Sequence, residues 1–245
     1  MEANLPGAWL GVIRRNLPYY ARLSAADRDN LRRRVRDFIA AKDFEGCGGL
    51  RLNDEMRVTI AAHACLLLLR QDLACYPRLR SILVYPHAYK VKDRWRSRDG
   101  VLSDEVRGLL GQASSRGVVV LSWHRARADS AGKASGHNLL LHEFAHQLAL
   151  KTGSFDGIPL LRDPAREKVF RRVLEDAYAR HVRAVEKGSA TVLRAYGAET
   201  PAEFFAVLTE AFFTRPRRLK LRQPALYAQL RALYGQDPAC PAPKI

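Results

Sequence analysis

The sequence predicts an α+β fold, rich in helices and holding one small sheet. Three observations carry that reading. Apolar residues recur at helical spacing in several long segments; two short strand-like runs, Ser81–Tyr85 and residues 118–123, interrupt them; and no internal repeat divides the chain. With 245 residues, 47% hydrophobic and 27% charged, the chain is long enough to bury a substantial core and has the composition of a folded protein.

Ser24, with Asp27 three residues on, opens a segment in which Leu31, Val35, Phe38 and Ile39 share a face, an amphipathic helix to about Lys42. The turn-rich stretch 45–49 ends it, and Asn53 or Asp54 caps a more buried helix to about Arg70. Ser81–Tyr85 is an apolar strand stopped by Pro86, and 90–100 reads as an exposed, arginine-rich loop. Residues 118–123 form a second strand by their β-branched run, and 127–136, small and charged, a flexible connector. Leu139, Leu140, Leu141, Phe144, Ala145, Leu148 and Leu150 then define a buried helix ending at Gly153. Helices over 164–187, from Thr200-Pro201 to about Thr214, and over 224–234 complete the chain. The expected organisation is an N-terminal helical segment, 1–44, packed on a core domain at 45–235, with a flexible tail at 236–245.

No apolar run approaches the roughly 18 to 20 residues needed to span a bilayer. The apolar stretch near the N-terminus, 9–13, is short and is followed by arginines, so no signal-peptide pattern is present. A cytoplasmic protein without a membrane partner is the expectation. Cys47, Cys65, Cys75 and Cys240 form no C-x-x-C pair and read as reduced thiols, not metal ligands. The formal charge of +16 is spread over several arginine-containing stretches without the aromatic interleaving of a single-strand platform. It reads as a solvated basic surface, with nucleic acid or another polyanionic partner as the alternative.

The chemistry is concentrated in His142-Glu143-Phe144-Ala145-His146, an H-E-x-x-H sequence on a strongly apolar helix. Residues four apart differ by about 40° around a helix, so both imidazoles leave one face and can hold one ion. Imidazole ligands with one open position suit zinc. Glu143, next to the first ligand, is placed to take a proton from a water attacking a carbonyl. Composition alone would produce the motif in roughly one such sequence in a hundred, and two histidines and a glutamate are costly to bury in an apolar helix without a partner. One Zn²⁺ per chain is the expectation.

A catalytic zinc needs a third protein ligand. The metzincin continuation would require glycine at 149 and histidine at 152, where Ala149 and Thr152 stand, so that class is excluded. Asp156 offers a carboxylate shortly after the helix. Glu203 and Glu210, seven apart, share a face of the later helix, and a glutamate from a second helix is the gluzincin arrangement. Glu203 also completes a capping box, Thr200-Pro201-Ala202-Glu203, in which its carboxylate would bond back to the N-cap amide. The residues by themselves leave Glu203 and Glu210 open.

The segments 45–50 (EGCGGL), 58–69 (VTIAAHACLLLL), 82–86 (ILVYP), 119–123 (VVLSW), 136–147 (GHNLLLHEFAHQ), 156–159 (DGIP) and 201–213 (PAEFFAVLTEAFF), in this order, resemble the Mlc titration factor A family of zinc peptidases. The resemblance implies an α+β, helix-rich, gluzincin-like zinc metallopeptidase core similar to the anthrax lethal factor metalloprotease domain. By it, Glu203, opening the E-F-F-A helix, is the third ligand. Tyr196, seven residues earlier, faces the metal and donates to the developing oxyanion. Read without the family, Tyr196 is a packed tyrosine before a helix. Glu210 becomes a candidate acceptor for a ligand-histidine N–H. The resemblance further implies a bacterial cytoplasmic enzyme with a peptide substrate, aminopeptidase-like activity and binding of the glucose repressor Mlc.

Residues 118–123, ahead of the zinc helix, read equally as an edge strand for an extended substrate and as a core strand. His63 reads as a satisfied core residue, His87, His124 and His181 lack ligand spacing, and His137 suits capping or loop packing. The competing class is a non-catalytic zinc protein that sequesters a transcriptional repressor. An open fourth position and an intact Glu143 favour the enzyme, since structural zinc is closed by four protein ligands.

Overall fold

The computed structural model describes residues 5–70, 76, 78–87, 89–96, 102–109, 111–114, 117–130, 132, 136–150, 157–159, 161 and 163–240. Among them the order is α1 (Gly7–Asn16), α2 (Ala25–Ala41), β1 (Asp43–Gly46), α3 (Asp54–Leu67), β2 (Ser81–Tyr85), β3 (Tyr89–Arg96), β4 (Leu102–Leu109), β5 (Gly111–Ser114), β6 (Val118–Ser122), α4 (Trp123–Ser130), α5 (Leu139–Leu150), α6 (Pro164–Glu186), α7 (Pro201–Thr214), α8 (Pro216–Arg222) and α9 (Pro224–Tyr234). This is the helix-rich α+β fold read from the sequence. Side-chain caps set the helix starts: Ser24 accepts from the Asp27 amide for α2, Asn53 from Met56 for α3, and Asp163 from Ala165 and Arg166 for α6.

The main sheet has the order β1-β2-β6-β5, with β1, β2 and β6 parallel and β5 antiparallel to β6. Ile82 and Val84 of β2 and Val119 and Leu121 of β6 are buried, as alternate residues on one face must be when helices cover it. The helix α5 packs against β5 and β6 and also against α3 and α7. Phe144 orients it: its ring meets Phe38 at 5.9 Å and Tyr76 at 5.6 Å in the core. Lying about 160° round the helix from both His142 and His146, Phe144 turns those imidazoles away from the core. The N-terminal helices α1 and α2 pack on α3 and share its hydrophobic cluster through Ile13, Leu31, Val35 and Phe38. Past α9, the Gln236 amide donates to the Leu66 carbonyl at 2.9 Å and the Ala239 N–H to the Tyr227 hydroxyl at 2.8 Å.

Three local readings need correction, and one left open is decided. Residues 43–46 are a strand, so the turn read over 45–49 is confined to its second half, at Gly48 and Gly49, whose φ values are 60° and 79°. The expected arginine-rich loop contains β3, paired antiparallel with β4 from Tyr89 opposite Leu109 to Arg96 opposite Leu102. Tyr89, Val91 and Trp95 do alternate with basic residues, a period of two that the charge concealed. The connector begins as a helix, α4, with Trp123, Ala126, Asp129 and Ser130 buried at helical spacing. Of the two readings of 118–123, the core strand is the one observed: β6 is an interior strand, because β5, with the sequence GQAS and no apolar signal, occupies its outer edge.

Among the described residues no helix is long and apolar enough to cross a membrane. Cys47, Cys65 and Cys240 are free thiols, and Cys75 lies outside the described residues.

His63 is fully buried on α3, its Nδ1 held 2.9 Å from the Thr59 carbonyl, and burial pushes its imidazole down to about 4. Because the folded state refuses a proton that the unfolded chain binds near 6.5, the histidine's penalty is absent above that pH and grows as pH falls towards about 4. The stability difference between wild type and His63→Gln, measured by urea unfolding in chelator, should therefore shift by about 3 kcal/mol in favour of the variant between neutral pH and pH of about 4. A pH-independent difference would mean that His63 is not buried neutral.

Candidate metal centre

The start of α5 is tied down on two sides. Asn138 caps it, its Oδ1 accepting the Leu141 N–H at 3.0 Å. Asp129 of α4 brings Oδ2 to the Leu139 N–H at 3.1 Å, to His137 Nδ1 at 2.7 Å and to Arg125 Nε at 3.0 Å. A buried carboxylate here also complements the helix dipole. His137 is thus a packing residue at the helix start.

On the face of α5 turned away from Phe144, Nε2 of His142 and Nε2 of His146 stand 3.2 Å apart. Glu203 arrives from the first turn of α7, with Oε2 at 2.9 Å from His142 Nε2 and Oε1 at 3.5 Å from His146 Nε2. Ligand atoms from the three residues all lie within 4.8 Å of one another. Tetrahedral ligands at zinc distances of about 2.0–2.1 Å would be separated by about 3.3 Å; the 3.2 Å and 2.9 Å spacings about His142 are close to that, and the 3.5 Å approach to His146 is made by the other Glu203 oxygen. Thr200 does cap α7, accepting the Glu203 N–H at 3.1 Å, but the Glu203 carboxylate turns to the histidines.

Glu210 takes a different place. It is fully buried, with Oε1 2.9 Å from His142 Nδ1 and Oε2 accepting the Asn138 N–H at 2.6 Å. A proton on Nδ1 shared with this carboxylate leaves the Nε2 lone pair of His142 for the cluster with Glu203. Glu203 therefore stands with the two histidines, and Glu210 one layer behind them. Asp156 lies outside the described residues. Gly157, with φ of +73°, passes so close to α7 that a Cβ would sit 2.3 Å from that of Ala202, the neighbour of Glu203.

The electrostatics suit a cation. Burial lowers His142, yet its contacts with Glu203 and Glu210 override this and push the imidazole up to about 10. Burial raises Glu203, but His142 and His146 hold it well below the usual carboxylate range. The Glu143 carboxyl is pushed up, first by burial, against the opposing pull of the two histidines. Among the described residues, Oε2 of Glu143 and Oε2 of Glu203 are buried without a hydrogen-bond partner; the 2.9 Å approach of Glu203 Oε2 to His142 lacks hydrogen-bond alignment. Unsatisfied acceptors converging with imidazole nitrogens are the groups that a metal ion and its water would satisfy.

Tyr196 projects from a short 3-10 turn, Ala195–Ala198, that packs on α7. Its ring centre is 5.9 Å from that of His142, and it is 42% exposed, unusually open for a large hydrophobic side chain in this protein. Burial of part of the ring, then Glu203, Glu199 and Glu143, push its hydroxyl up to about 12, so it remains a donor at neutral pH. The structure thus brings His142, Glu143, His146, Glu203 and Tyr196 together. It adds Asp129, Asn138 and Arg194, which the sequence reading did not single out. Asn138 was legible as an N-cap one residue before the apolar run; Asp129 and Arg194 reach the helix start and Glu210 from separate elements, which no local pattern marks.

Residues 1–235 match the family described as glucose-regulated metallo-peptidase M90. An uncharacterized protein of Synechocystis sp. is 37% identical over 236 residues, 96% of this chain and 86% of that protein. Mlc titration factor A of Cronobacter sakazakii is 31% identical over 225 residues, 91% of this chain and 84% of its own. Mlc titration factor A of Edwardsiella ictaluri is 32% identical over 226 residues, 91% and 85% of the two chains.

Proposed function

Because the chain belongs to the glucose-regulated metallo-peptidase M90 family, we propose that it is a zinc-dependent peptidase with aminopeptidase-like activity. In this reading His142, His146 and Glu203 hold the metal, Glu143 is the general base and Tyr196 the oxyanion donor. The observation that carries it is the convergence of ligand atoms from His142, His146 and Glu203 within 4.8 Å, beside a buried carboxylate with an oxygen that has no partner among the described residues. Zinc held there would polarise the scissile carbonyl and acidify a water. Glu143, whose carboxylate is more basic than usual because it is buried, takes the proton of the attacking water and passes it to the leaving amine. Tyr196 keeps its hydroxyl proton at working pH and donates it in a hydrogen bond to the oxyanion as charge develops. An extended peptide pairs along the outer edge of β5, the last strand of the sheet among the described residues and one against which α5 packs.

The name of the relatives supports a second reading, binding of an Mlc-like transcriptional repressor. One experiment bears on both. Purified protein should contain or take up about one zinc per chain and cleave unblocked peptides, with activity lost to a chelator and restored by zinc. No zinc uptake on titration together with no chelator-sensitive cleavage would reject the peptidase reading. Zinc uptake and repressor capture without cleavage would favour the second.

A further inference from the structure

We propose that Arg194 is a positioning residue for the metal centre, acting through Glu210 on His142 and through its guanidinium face on Tyr196. The inference rests on the zinc reading above and concerns this chain's own support for it.

Glu210 is a carboxylate with no exposure, set behind a ligand histidine. Such a partner fixes the ring and strengthens the histidine as a donor, but a buried anion is tolerated only when it is compensated. Arg194 supplies the compensation, its Nη2 lying 2.5 Å from Oε1, the same oxygen that faces His142 Nδ1 at 2.9 Å. The guanidinium also lies over the Tyr196 ring, with Cζ 5.8 Å from the ring centre, so one planar cation touches the supports of both the histidine and the tyrosine.

The residue is well placed to do this. Arg194 immediately precedes the 3-10 turn that carries Tyr196, and its carbonyl is held by His181 Nε2 of α6 at 3.1 Å. Its backbone is therefore pinned to α6 while its side chain is pinned to α7. Its Nε is buried without a hydrogen-bond partner among the described residues, so the side chain is held by the Glu210 contact and the tyrosine face instead of a wider network. A residue serving only general packing would not need to place its charge on the one oxygen that also faces His142.

The test is a double-mutant cycle read out as zinc affinity by competition with a chelating dye, independent of turnover. Arg194→Met should weaken zinc binding about 10- to 100-fold in the wild-type background. In a Glu210→Gln background the same change should have little effect, because the carboxylate through which Arg194 acts is gone. Arg194→Lys should lie between, keeping the charge and losing the planar fork. Unchanged affinity in Arg194→Met, or an equal loss in both backgrounds, would overturn the proposal while leaving the zinc reading intact. Absence of zinc uptake by the wild type would remove both. Should Arg194→Met not fold, the Arg194→Lys pair decides: a loss confined to the Glu210 background supports positioning, and an equal loss in both overturns it.

Discussion

Glu143→Gln is expected to keep its zinc and its fold while losing peptide turnover by at least about 10²–10⁴-fold, the contribution of a positioned general base. The substitution is nearly isosteric at a residue only 4% exposed, so packing on α5 is preserved. What it removes is the ability to accept a proton. The buried carboxylate has a raised proton affinity and an oxygen that no other described group satisfies, features of a group poised to take a proton from water. Because His142, His146 and Glu203 are untouched, metal content should match the wild type. Turnover and zinc content measured on the same preparation check the result. A Glu143→Gln enzyme working within about tenfold of wild type would remove Glu143 as the base and leave the metal as the main activator.

Much of this site was legible in the sequence, for a physical reason: the spacing of two histidines on a helix is a local geometric property. His142 and His146 stand together because four residues return almost to the same face, and Phe144 between them could be assigned to the core from the same periodicity. The long helices α2, α5, α6, α7 and α9 were readable because each carries an apolar face or a cap in its own segment. The strand β5 and the ribbon of β3 and β4 were missed because their pairing is made by backbone bonds to distant segments, with little apolar signal in GQAS or under the charges of 90–96. The choice between Glu203 and Glu210 lay at the same boundary. Helical spacing put both on one face, and only the approach of α7 to α5 separates them, the first reaching the two Nε2 atoms and the second the Nδ1 side of His142.

That separation gives the last large effect. Glu203→Ala should lower zinc affinity by more than the roughly 10- to 100-fold expected for an outer partner of a ligand histidine, because it removes one of the three proposed ligands. Glu210→Ala should fall within that smaller range. The capping role does not blur the comparison. The bond that caps α7 runs from the Glu203 backbone N–H to the Thr200 hydroxyl and survives in alanine, so any loss of helix stability should stay at or below about 0.5–2 kcal/mol. Glu210→Ala, by contrast, leaves the Asn138 N–H and Arg194 without their shared buried acceptor, so its stability cost should exceed that of Glu203→Ala although its effect on zinc is smaller. Opposite orders in zinc titration and in urea unfolding are therefore expected for the two variants. A greater zinc loss in Glu210→Ala would assign the third ligand to Glu210 and would require α7 to turn relative to α5 when the metal binds.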